Sequence, residues 1–293
     1  MGQTIKKELM GTGEMTERTW RPPGTGSDRA FVVVLSIILA TYASFILLLI
    51  VADVAYASRG TGDGAAWPFA EAFLSAFRSP EIRSAMILTM ISCTITAILS
   101  VFVAVPAGYL LARYRFRGDR FVDALLDIPI VLPPLVVGLS LLILFQFLPA
   151  RLREAIVYER PAVVIAQFAV ACAFAVRIMR ATFDQTDRRC ADVARTLGCS
   201  RRQAFMLVEL PEAWPGVLTA VTIAWARALG EFGPLLIFAG ATRNKTEVLS
   251  TTVFLELSIG DLSAAVTVSL IMVAAAVAVV ITARTWGSRT FKL

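Results

Sequence analysis

Asp192-Val193-Ala194-Arg195-Thr196-Leu197-Gly198-Cys199-Ser200-Arg201-Arg202-Gln203-Ala204-Phe205-Met206-Leu207-Val208-Glu209-Leu210-Pro211 is the stretch from which the fold is read. Gly198 suits the position just past a helix C-terminus, where a left-handed backbone penalises any residue bearing a Cβ. Ser200, with Gln203 three residues on, makes a capping box that starts a second helix. The pattern predicts helices over 187–197 and 200–208, the second ended by Pro211 and Pro215. Ala204, Phe205 and Val208 give that second helix an apolar face beside Arg201 and Arg202. A short exposed helix with an apolar stripe calls for a partner protein.

The flanks of this stretch are too apolar for water. Of 293 residues, 57% are hydrophobic and 17% charged, against about 45–50% and about 25% in soluble domains. Crossing a hydrocarbon core takes about 20 apolar residues, and six segments qualify, centred on 31–52, 85–112, 122–148, 161–179, 215–239 and 263–283. The fold expected is therefore an all-α membrane protein of six transmembrane helices. Six crossings place both termini on one side, and that side carries 19 of the 28 Lys and Arg residues, the other 8. The positive-inside bias then puts both termini in the cytoplasm of a multi-pass protein of the cell membrane. Residues 1–30 read as a cytoplasmic tail, 31–283 as the bundle with a cytoplasmic loop over 180–214, and 284–293 as a second tail. The external loop 57–84 contains an amphipathic piece, Phe69 to Phe77, and the external stretch Val248 to Asp261 is apolar enough to dip into the bilayer.

The chain has no histidine, which excludes His-based triads and His-ligated zinc. Cys93, Cys172, Cys190 and Cys199 lack CxxC spacing and are expected to be small buried hydrophobes, with no metal site. The net charge of +6 is accounted for by the loop bias, and no nucleic-acid partner is expected.

Two spans break membrane logic. Asp127-Ile128-Pro129-Ile130-Val131-Leu132-Pro133-Pro134-Leu135 puts three prolines in the third span, where each removes a backbone donor. Irregular backbone at membrane depth persists only where protein or a water-filled cavity surrounds it, so either a packing kink or a translocation path fits, and Gly138 is consistent with both. In the fifth span Arg227 and Glu231 share a helical face, roughly 18 Å and 24 Å beyond Pro215 at 1.5 Å per residue. They are either a structural pair or the lining of a polar path. Gly230, Gly233 and Pro234 weaken the helix around Glu231 and make it a plausible hinge. Asp123 and Asp127, four residues apart at the cytoplasmic boundary, are expected to orient the helix end.

The stretch Asp192-Val193-Ala194-x3-Gly198-x9-Val208-x-Leu210-Pro211 resembles the EAA loop of ABC-importer permeases, EAA-x3-G-x9-I-x-LP. Asp, Val and Val stand for the motif's Glu, Ala and Ile. Arg227-Ala228-Leu229-Gly230-Glu231-Phe232-Gly233 is similar to a stretch of molybdate and sulfate permeases, and Asp127 to Pro134 resembles their third helix. Pro234 stands where those families usually have Ala, and residues 241–246 lack their NIPG-type loop. The resemblance covers roughly residues 80–283.

It implies a type I importer permease for an oxyanion (molybdate, tungstate or sulfate). The chain would not be an enzyme itself, and two ABC ATPase subunits would bind ATP and magnesium for it. The absence of a GxxxxGK[ST] phosphate loop fits that division. Asp192, Val193, Ala194, Gly198, Ser200, Phe205, Val208, Leu210 and Pro211 would form the ATPase-coupling loop. Pro133, Pro134, Arg227, Gly230, Glu231 and Gly233 would belong to the translocation pathway or gate. A second permease copy, an external or periplasmic substrate-binding protein and the lipid bilayer complete the implied partners. With Arg227 mostly neutralised by Glu231, selectivity is expected to reside in the binding protein. The competing readings are a permease for a different small solute and an ion-coupled secondary carrier titrating Glu231 against Arg227, although such carriers usually repeat their broken helices in both halves.

Overall fold

The structure is a computed structural model that describes residues 26–59 and 79–290. Most of the N-terminal tail and the amphipathic piece Phe69 to Phe77 lie outside the described residues. The elements in chain order are α1 (Gly26–Arg59), α2 (Pro80–Arg113), α3 (Asp119–Val131), α4 (Pro134–Gln146), α5 (Ala150–Ile156), α6 (Arg160–Gln185), α7 (Arg188–Thr196), α8 (Arg201–Glu212), α9 (Trp214–Leu229), α10 (Leu249–Ser258) and α11 (Leu262–Thr290). A π-helical turn, Leu235–Ala239, lies between α9 and α10. No strand occurs among the described residues.

Four of these helices, α1, α2, α6 and α11, are long and apolar enough to cross a membrane alone. Two further crossings arise only if α3 with α4, bent by 112°, and α8 with α9, bent by 69°, are each counted as one. The third and fifth expected spans are thus not single rods. In the third, consecutive prolines exclude the α region for the residue before each of them: Leu132 has ψ 141° and Pro133 ψ 133°. Pro129, by contrast, sits inside α3 without ending it. In the fifth, α9 stops at Leu229, the chain is non-helical over residues 230–232, and helix resumes at Gly233 and Pro234, which lead into the π turn. Two glycines and a proline without an N–H deprive that stretch of helical support. At the C-terminus, α11 continues through Thr290, into the segment expected to be a tail.

The core lies where α2, α6 and α9 meet. Its buried residues are mostly small: Cys93, Ala97 and Ala104 from α2, Ala171 and Ala175 from α6, Ala220, Ala224 and Ala228 from α9. Small side chains let helix backbones approach closely, which is how helices associate where lipid removes the hydrophobic drive between them. Met179, Phe183 and Trp225 are buried among them, while many other large apolar side chains point outward, Phe102, Phe121, Val131 and Phe147 included. The four cysteines are free, and Cys93 is buried and Cys172 half-buried as expected. Cys190 is exposed, correcting the reading that all four are buried, because it occupies the outer face of the short helix α7.

Asp123 and Asp127 do anchor the start of the third span. Arg177 Nε donates to Asp127 Oδ1 at 2.6 Å, Arg177 Nη1 lies 3.1 Å from Asp123 Oδ1, and Arg180 also pairs with Asp123. These bonds pin α3 to α6.

Candidate functional site: two interrupted crossings and a helical hairpin

The hairpin α7–α8 is built from local signals. Asp187 Oδ1 accepts from Arg189 N–H at 3.0 Å and starts α7. Gly198 has φ +92° and open space around it, so its backbone angle and not crowding selects glycine. The Ser200–Gln203 capping box is complete: Gln203 N–H donates to Ser200 Oγ at 3.3 Å and Ser200 N–H to Gln203 Oε1 at 2.8 Å. The second helix does not end at Val208 as expected. A π turn over Phe205–Glu209 widens it, and Pro211 then falls in the first turn of a renewed helix, where its missing N–H is not needed. π turns of this kind are frequent at functional sites.

The hairpin has two faces. Outward stand Val193, Leu197, Met206 and Leu207, all exposed. Inward lies Phe205, its ring 4.4 Å from that of Tyr109 on α2 and 6.1 Å from that of Phe183 on α6. The apolar stripe expected to await a partner is therefore largely used within the chain, and a different set of apolar side chains is left outside. Ala204 is buried and Val208 half-buried, while Asp192 is exposed and Ala194 half-buried.

Beneath the hairpin sits an ion pair that sequence reasoning missed. Arg113, the last residue of α2, places Nε 2.8 Å from Glu209 Oε1, and the two side chains are 7% and 3% exposed. Tyr109 Oη donates to Glu209 Oε2 at 2.7 Å, and Arg113 Nη2 to the Thr186 carbonyl at 3.2 Å. Four points, on α2, the end of α6 and the π turn, are thereby fastened together. The pair spans 96 positions in sequence, so no local pattern announces it.

The two interrupted crossings meet one another. A Cβ placed on Gly233 would lie 2.9 Å from Pro134 Cβ and 2.9 Å from Leu135 N, and one on Gly138 would lie 2.8 Å from Pro234 Cα. The Pro133-Pro134 break and the helix that resumes at Gly233-Pro234 are therefore in backbone contact, which only glycine permits. Gly230 differs: its φ of −83° and ψ of 0° are ordinary, and it is uncrowded.

The charged pair lies at this junction. Arg227 Nη2 is 2.9 Å from Glu231 Oε1, with side chains 32% and 1% exposed. The Arg227 guanidinium also stands 5.3 Å from the centre of the Phe174 ring on α6, a cation–π arrangement. Glu231 is buried behind it, its backbone carbonyl accepting from Ser250 Oγ at 2.7 Å. Gln167, buried on α6, closes the broken end of α9: its Nε2 donates to the Ala228 carbonyl at 3.2 Å while its Oε1 accepts from Thr96 at 3.2 Å. A helix terminus at membrane depth needs such a partner.

At the end of the bundle away from the hairpin, Arg243 bridges Glu81 and Glu256, the latter at 3.0 Å, and Lys245 pairs with Glu159. Glu247, beside them, is buried with neither carboxylate oxygen in a hydrogen bond. Burial pushes its carboxyl above the ordinary value, opposed by the nearby charge of Arg243. Among the described residues no cluster of His, Cys, Asp or Glu is arranged to hold a metal.

Residues 104–289 match the family described as binding-protein-dependent transport system inner membrane component. The chain is 37% identical over 160 residues to the molybdate/tungstate transport system permease protein WtpB of Pyrococcus abyssi, a match covering 55% of this chain and 62% of that relative, so it spans under two thirds of the relative's length. It is 31% identical over 218 residues to the sulfate transport system permease protein CysT of Salmonella typhimurium, covering 72% and 78% of the two chains. In fold it is similar to a chain of a bacterial alginate ABC transporter solved in complex with an alginate-bound periplasmic protein, with TM-score 0.70 at 16% identity over 91% of this chain and 98% of that one. The expected resemblance to ABC permeases holds, and the chain belongs to the binding-protein-dependent transport system inner membrane component family.

Proposed function

We propose that this chain is the permease subunit of an ATP-driven importer for a tetrahedral oxyanion of the molybdate, tungstate or sulfate class. The observation that carries the reading is the junction of the two interrupted crossings: backbone contact between Gly233 and Pro134, with a charged pair beside it, at the end of α9, the helix that α8 leads into. The names of the relatives support the substrate class.

In this reading the outward face of the hairpin, Val193, Leu197, Met206 and Leu207, docks on a separate ATPase subunit that binds ATP and magnesium. Asp192, Val193, Ala194, Gly198, Ser200, Val208, Leu210 and Pro211 shape that loop, while Phe205 and Glu209 carry its displacement to α2 and α6. The bistable element is the bent pair α8–α9. Tilting α9 slides Gly233 against Pro134 and opens the path on one side or the other. Arg227, partly exposed and held by Glu231 and Phe174, offers the passing anion a donor weakened by its counter-charge, so the cargo is released and not trapped. A second permease copy lines the other half of the path, and a soluble binding protein docks at the face holding Arg243 and Lys245. The excess of Lys and Arg on the hairpin side supports a topology with both termini in the cytoplasm.

The experiment is uptake of radiolabelled molybdate and sulfate into proteoliposomes holding the chain with a cognate ATPase and binding protein. Uptake that requires ATP and stops when the ATPase is omitted is expected. Uptake driven by an ion gradient with the chain alone would overturn the reading.

A further inference from the structure

A cavity of about 270 Å³ lies between the last turn of α2 and the hairpin. Four guanidiniums, Arg113, Arg188, Arg195 and Arg201, line it against two carboxylates, Asp192 and Glu209. Two of the four are fixed in place. Arg113 is held by Glu209 and the Thr186 carbonyl, and Arg188 Nη2 donates to the Ala112 carbonyl at 2.6 Å. The other two, Arg195 and Arg201, have no ion pair among the described residues.

A concave wall with excess positive charge focuses its field into the cleft, and guanidinium forks match the oxygens of a phosphate or sulfate. The volume lies just below the usual range of small-molecule sites and suits one compact anion with water.

We infer that this cavity binds an oxyanion group, sulfate- or phosphate-like, which bridges the end of α2 to both helices of the hairpin. The group is either a free ion or the headgroup of an anionic lipid. Bound there, it neutralises Arg195 and Arg201 and ties the hairpin more firmly to α2. The site is separate from the Arg227 junction, so it stands or falls independently of the transported cargo.

The test uses the full-length chain in maltoside micelles, which contain no phosphate. Thermal stability and equilibrium dialysis of radiolabelled sulfate are measured in one arm, and stability in micelles doped with phosphatidylglycerol in the other, each against chloride at matched ionic strength. Sulfate or the lipid is expected to raise the melting temperature where chloride does not, and the arm that responds identifies the source. Arg201→Gln should weaken binding about tenfold, the loss of one charge-assisted contact. Arg202→Gln, which removes the same charge one residue away and outside the cavity, should leave it unchanged, and Arg201→Lys should recover part of the loss. No response beyond that of chloride, or an equal loss in the Arg201→Gln and Arg202→Gln variants, would overturn the inference.

Discussion

Gly233 and Pro134, 99 positions apart in sequence, touch backbone to side chain at the point where two membrane crossings are each broken. Each break is a local consequence of proline and glycine. Their meeting joins the two defects in one junction, because irregular backbone at membrane depth has to be enclosed by other protein or water.

Substitution at that contact discriminates between crowding and helix weakness. Gly233→Ala places a Cβ 2.9 Å from Pro134 and Leu135, and overpacking of this kind costs about 1–3 kcal/mol. Gly230→Ala meets nothing closer than 3.8 Å and should fold and transport normally. Thermal unfolding in detergent and uptake assays on the two variants check this, with Gly233→Ala expected to be the impaired one.

The hairpin turn yields a second expectation. Gly198 is free of steric neighbours, so its left-handed φ alone restricts substitution. Gly198→Ala should cost about 1 kcal/mol from the left-handed strain with partial uptake. Gly198→Glu should leave the protein inserted in the membrane at normal abundance while abolishing ATP-driven uptake. Immunoblots of membrane fractions beside uptake rates separate insertion from coupling.

Much of this was readable from sequence where the signal is local. Gly198, the Ser200–Gln203 box and the Pro133-Pro134 pair each act on their immediate neighbours, and the structure has them where the pattern puts them. What escaped was long-range. Arg113 and Glu209 carry no shared motif, and Gln167 looks like one polar residue in an apolar helix until the broken end of α9 is seen beside it. Phe205 was expected to face a partner because helical periodicity reveals an apolar face without saying what fills it. Over 215–239 the glycines and Pro234 announce a weak helix around Glu231, but not that it stops at Leu229, because hydropathy averages across residues 230–234.

Glu247 makes stability depend on pH in a fixed direction. Its folded-state carboxyl is pushed above the ordinary value of 4.5, by burial first. A raised carboxyl favours the protonated folded form, so stability is full below the unfolded value and declines as pH rises through the folded one. Glu247→Gln removes that penalty. The variant should melt higher than the parent at pH 8, with the gap closing toward pH 4; melting curves across that range check the sign.

In the proposed cycle Arg113 and Glu209 transmit motion from the hairpin to the crossings. Glu209→Gln removes one charge of a buried pair, a change that costs about 3–5 kcal/mol where the remaining charge is stranded. The paired replacement of Arg113 by Met and Glu209 by Leu restores a neutral core of similar volume. The most direct measurement is the amount of ATP hydrolysed per oxyanion imported by that double variant in proteoliposomes. Continued hydrolysis with uptake reduced at least about tenfold, roughly 1.4 kcal/mol of lost coupling, is the predicted result. A double variant that folds and imports at the parent's ratio of anion to ATP would contradict it.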